Sequence, residues 1–133
     1  MTWEKGLSRA ILVVVSCVYA YGAFLHVSNL AGGYGAPDAP LPVKWVAIDM
    51  LYTCLSLLVA GGLVLGARVA VGAFYLAAFW QIMLSAVYRE WVLEMPDLYD
   101  QTTAPLAYFD QLLPFVLVMI FAVSLALFLR WAR

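Results

Sequence analysis

The chain has a single histidine, His26, and 23 residues later a carboxylate, Asp49, standing alone in a long apolar run. An imidazole beside a carboxylate can act as an acid or base, with the carboxylate orienting the ring. Gln81 and Asp110 are the other strongly polar side chains set in apolar surroundings, and Tyr52, Trp80 and Tyr88 supply aromatic surface near them. These seven residues could line a pocket that binds a lipid head group, a quinone ring or a metal. The plainer reading is that His26, Asp49, Gln81 and Asp110 satisfy one another and tie helices together. One His and two Asp could give three ligands to a hard or borderline ion, but no second His or thiolate stands at suitable spacing, so no metal is expected. A haem would need an unrelated second ligand or an open position beside His26.

The elements that must position these residues follow from hydropathy. With 133 residues, 66% hydrophobic and 11% charged, and a mean hydropathy of +0.95, the chain reads as one integral membrane domain. A net charge of −1 and the lack of any basic tract argue against a nucleic-acid partner. Val46 to Leu65 and Val69 to Tyr88 are two apolar runs of 20 residues each, meeting at Gly66-Ala67-Arg68. Each is long enough at ~1.5 Å per residue to cross ~30 Å of hydrocarbon. So short a turn makes them run antiparallel and side by side. Similar runs before and after give two more spans, so the expected fold is an all-α, integral membrane, antiparallel four-helix bundle. Its helices are expected at about 7–30, 43–65, 69–88 and 106–131, with loops at 31–42 and 89–105.

Helix 1 follows Lys5 and Arg9, as a signal peptide would, but its apolar run is too long for one and is read as a retained span. Its expected inward stripe is Ser16, Tyr19, Gly22, His26 and Asn29. In helix 2, Asp49, Tyr52, Thr53, Ser56 and Ala60 share one face, and in helix 3 Gln81, Ser85 and Tyr88 do so, with Trp80 as core packing or a cavity wall. Gly62 and Gly66 make a GxxxG pattern, and Ala73 and Ala77 could let helices 2 and 3 approach closely. Cys17 and Cys54 form no CxxC and are read as small buried packing residues. Pro114 is expected to bend helix 4. The acidic segment 89–105 contains Trp91, Val92 and Tyr99 and is expected to lie partly along the membrane surface.

Charge sets the orientation. With both termini cytoplasmic, that side holds Lys5, Arg9, Arg68, Arg130 and Arg133, against Lys44 and Arg89 on the other. Seven of the eight acids then lie outside. Counted from the outer helix ends at ~1.5 Å per residue, His26 and Asp110 lie about 6 Å deep, Asp49 about 9 Å and Gln81 about 10 Å. The polarity is thus expected in the outer leaflet alone. With no ionisable group between the interfacial arginines of the inner half and the midplane, transport is disfavoured.

Arg9 early in helix 1, Gly22 in its second half, Asp49 opening helix 2, and the stretch LLVAGGLVLGARVAVGAFYLAAF resemble the DoxX-like family of four-helix membrane proteins over residues 9–88. Family members usually have Glu where this chain has Asp49. The resemblance implies a four-helix bundle associated with membrane redox complexes, including quinone-linked sulfur oxidation in some members. It assigns no catalytic residue here.

The resulting expectation is a small accessory or structural subunit of a larger, redox or quinone-linked complex in a bacterial cytoplasmic membrane. Its partners would be membrane lipids and other integral subunits, or further copies of itself. The competing expectation is an autonomous protein or enzyme that binds a quinone, isoprenoid or lipid, with His26 and Asp49 central to its pocket.

Overall fold

The computed structural model describes residues 3–32, 43–94 and 104–131, and every element among them is helical. Helix α1 spans Trp3–Gly32, α2 Val43–Leu65, α3 Arg68–Ile82, α4 Arg89–Leu93 and α5 Ala104–Trp131. A π-helical turn, Met83–Val87, extends α3. Among the described residues, Trp3–Gly32, Val43–Leu65, Arg68–Val87 and Asp110–Trp131 are long and apolar enough to cross a membrane. Most of the loop expected at 31–42 and the Pro96 end of 89–105, with Asp38, Asp97 and Asp100, lie outside the described residues.

The four long helices share one core. Leu12, Val15 and Tyr19 of α1 meet Tyr52, Leu55, Val59 and Leu63 of α2, Ala70, Ala73, Phe74 and Ala77 of α3, and Met119, Val123 and Ala126 of α5. The steps of three and four residues put each set on one helical face. The opposite faces are equally apolar: Tyr21, Phe24, Leu57, Val118, Phe121 and Phe128 are exposed. In lipid that is their favoured surrounding, so what distinguishes the core faces is small residues and close packing rather than hydrophobicity.

Two polar contacts join α5 to α1 and α3. The Ser8 hydroxyl donates to the Ala126 carbonyl at 2.8 Å, joining the start of α1 to the end of α5. Tyr75 on α3 and Ser124 on α5 pair through their hydroxyls at 2.8 Å. Such bonds between membrane helices average only ~0.6 kcal/mol, so they set register more than they supply stability.

The turn between α2 and α3 is built by its glycine. Gly66 has φ 71°, in the left-handed region that costs an L side chain energy. Its N–H donates to the Leu63 carbonyl at 3.2 Å, and the Ala67 N–H to the Gly62 carbonyl at 2.8 Å. This pair of bonds is a Schellman cap, which ends α2 and sends the chain straight into α3. The two glycines of the GxxxG pattern therefore do different work. Gly66 makes the turn, and Gly62 makes the close approach, because a Cβ placed on it would lie 2.4 Å from the Ala70 Cβ.

Three further expectations are corrected. Cys17 and Cys54 are exposed, on helix faces turned away from the core, and not buried packing residues. Of the two readings of Trp80, core packing is removed, because the ring is 38% exposed and meets Phe79 edge to face at 5.9 Å. Asn29 is exposed at the end of the stripe it was assigned to. In each case a uniformly apolar helix offers no periodic signal for its inward face. Helix α5 continues through Pro114.

Candidate functional site

His26 sits six residues before the end of α1 and Asp49 six residues into α2, so the junction of these helices brings them together. His26 Nδ1 and Asp49 Oδ1 are 2.5 Å apart. The two side chains share a hydrogen bond whose direction is set by the tautomer of the ring. Asp49 is buried, with 8% of its side chain exposed, whereas 22% of the imidazole is exposed. The Tyr52 ring, one turn along α2, stacks on the imidazole with centroids 5.5 Å apart and planes 15° from parallel. The Thr53 hydroxyl donates to the Asp49 carbonyl at 2.7 Å. His26 is thus held on two sides, by a hydrogen bond to a carboxyl group and by an aromatic face.

The remaining candidates do not join this pair. Asp110 is exposed at the start of the apolar part of α5 and accepts a hydrogen bond from the Arg89 guanidinium at 2.7 Å. Gln81 is half-buried on α3, and its backbone carbonyl accepts from the Ser85 hydroxyl at 2.7 Å. The π turn then breaks the stripe that Gln81, Ser85 and Tyr88 would share on a regular helix. The Tyr88 N–H reaches back five residues to the Met83 carbonyl at 2.9 Å, and a turn this wide shifts the register by about one residue. Ser85 stays buried, and Tyr88 is 46% exposed.

Spacing in the sequence does not reveal a third polar junction, between the start of α2 and α4. Lys44 Nζ donates to the Trp91 carbonyl at 2.7 Å and lies 5.4 Å above the centre of the Trp91 ring. The Trp45 indole donates to the Val92 carbonyl at 3.1 Å. These carbonyls belong to the last turn of a five-residue helix, the place where helix carbonyls take partners from outside the helix. Lys44 also lies 3.7 Å from Glu94. The one signal in the sequence is that Lys44, Trp45 and Trp91 border the two segments assigned to the same side.

Among the described residues, three polar pairings at this end thus cross helix junctions: α1 with α2, α2 with α4, and Arg89 with α5. Among the described residues no three His, Cys, Asp or Glu side chains converge as a metal site would require. Compared with protein-family models, with curated proteins and with solved structures, the chain matches none.

Proposed function

We propose that this chain is a small accessory subunit of a larger membrane complex, and that its His26–Asp49 pair is a structural tie rather than a reactive centre. The chain is read as an antiparallel four-helix bundle in a bacterial cytoplasmic membrane, with both termini in the cytoplasm. The observation that supports this best is the pairwise closure of the polar groups: His26 on Asp49, Arg89 on Asp110, and Lys44 on the carbonyl of Trp91. A working pocket would aim several such groups at one space. Here each finds a protein partner at a helix junction. Outside the core the helices offer apolar and aromatic faces, such as Tyr21 stacked with Phe24, suited to lipid or to neighbouring subunits. The resemblance of residues 9–88 to DoxX-like proteins points to a redox or quinone-linked assembly as the kind of complex.

A second reading has one observation in its favour. The imidazole is 22% exposed, so one edge of it could meet a quinone or lipid head group while Asp49 holds the other. The two readings predict different behaviour of His26→Ala and Asp49→Asn. If the pair is a tie, both variants lose stability on the order of 0.6 to 1.7 kcal/mol, the range for polar contacts between membrane helices. They then accumulate less in the membrane or separate from the partner complex, and quinone binding does not change. Quantifying the variants by immunoblot and titrating a quinone analogue onto the purified proteins checks this. Normal accumulation with loss of quinone binding would refute the structural reading.

A further inference from the structure

At the end of the molecule opposite the His26–Asp49 pair, a cavity of about 360 Å³ opens between the start of α1, the end of α2 and the end of α5. Three cations line it, Lys5, Arg9 and Arg130, with the α2–α3 turn at Gly66 as part of its wall. We propose that this cavity binds the phosphate of one anionic phospholipid.

The argument begins with charge. Among the described residues none of the three cations has an ion pair, and no carboxylate lines the cavity. Like charges gathered in one concavity repel, and an anion seated among them removes that cost. Arginine supplies planar, forked donors that match phosphate oxygens two at a time. The turn helps to shape the place: a Cβ on Gly66 would stand 3.6 Å from the Arg130 guanidinium, an ordinary contact distance, so that group lies directly against the turn. The Ser8–Ala126 bond fixes the start of α1 against the end of α5 and so holds Arg9 and Arg130 on facing walls.

The rest of the lining decides between a free anion and a lipid. Leu12, Val13, Leu63 and Val64 continue the cavity along the helices. Inorganic phosphate has nothing to place against these side chains, whereas the acyl chains of a phospholipid do. The volume suits a head group and the first chain carbons, and the chains would continue along the apolar helix faces. Basic pockets between spanning helices commonly hold anionic lipid head groups. This inference needs the helices to span a membrane, but it is independent of what the His26–Asp49 pair does.

The test is native mass spectrometry of the full chain in a neutral detergent, titrated with dioleoyl-phosphatidylglycerol or dioleoyl-phosphatidylcholine. The expected result is one saturable lipid per chain with about a tenfold preference for phosphatidylglycerol, in keeping with the attraction of a few cations to an anionic head group. Arg9→Gln with Arg130→Gln should bring the two lipids to parity, Arg9→Lys with Arg130→Lys should keep most of the preference, and Arg89→Gln at the other end should leave it intact. If the double glutamine variant does not fold, each single variant should still lose about threefold. Equal binding of the two lipids would overturn the proposal, as would a preference that survives in the glutamine variants. Displacement of the lipid by millimolar inorganic phosphate would identify a free-anion site and overturn the lipid assignment.

Discussion

Gly62→Ala is expected to destabilise the protein by about 3 kcal/mol, the upper end of what overpacking costs, although alanine is the better helix former by about 1 kcal/mol. The added methyl would lie 2.4 Å from the Ala70 Cβ and 3.5 Å from the Ala70 Cα. Neither atom can turn away, since a methyl carbon has no rotamer to adopt. Helices α2 and α3 must therefore move apart, and with them the Schellman cap, whose Ala67 N–H bonds the Gly62 carbonyl at 2.8 Å. The clash outweighs the gain in propensity. Ala70→Gly should restore most of the loss in the double variant, because it removes the methyl that is struck. Gly61→Ala is the control: a Cβ there meets nothing within 4 Å, so it should be neutral or slightly stabilising. Unfolding in sodium dodecyl sulfate, followed by circular dichroism, measures all four proteins. A Gly62→Ala variant as stable as Gly61→Ala would show that α2 and α3 do not pack at this contact.

Phe74→Ala is expected to cost about 3 kcal/mol, the low end of the range for deleting a buried aromatic side chain. Phe74 is fully buried and meets the Tyr19 ring of α1 at 5.7 Å and the Tyr75 ring at 5.1 Å, both edge to face. The low end applies because the separated helices are solvated by lipid, which is as apolar as the core, so little transfer energy is lost. What remains is the cavity and the missing dispersion contacts. Phe74→Leu, which keeps most of the volume, should cost less than about 1.5 kcal/mol. The same detergent unfolding distinguishes the cases, and equal stabilities of the alanine and leucine variants would deny Phe74 its place at the centre of the core.

How much of this was legible in the sequence depends on the kind of signal. The four apolar helices could be read from length and hydropathy, because a bilayer demands about 20 apolar residues per span. The sharp α2–α3 connection could be read from Gly66, since few other residues adopt its φ of 71° cheaply. The meeting of His26 with Asp49 follows from two polar groups near the joined ends of consecutive helices. The inward faces were harder. Cys17, Cys54 and Trp80 proved exposed because lipid and core make the same demand for apolar side chains, and only close packing tells them apart. The π turn at Met83–Val87 has no composition of its own, so the outward placement of Tyr88 could not be foreseen. Asp110 pairs with Arg89, a contact across 21 residues that helical spacing does not encode. The cavity at the Arg130 end was visible only as a count of cations on one side, and the fold shows which three share a wall.

The claim that the chain serves a larger complex is tested most directly by native mass spectrometry of the protein extracted gently from its own membranes. The account predicts release together with larger integral subunits, and this association should weaken in His26→Ala. A free monomer or homo-oligomer holding a reproducible small mass would contradict it, provided that the mass persists in Arg9→Gln with Arg130→Gln and disappears in His26→Ala. That pattern would place the ligand at the His26–Asp49 pair and make the pair a binding site.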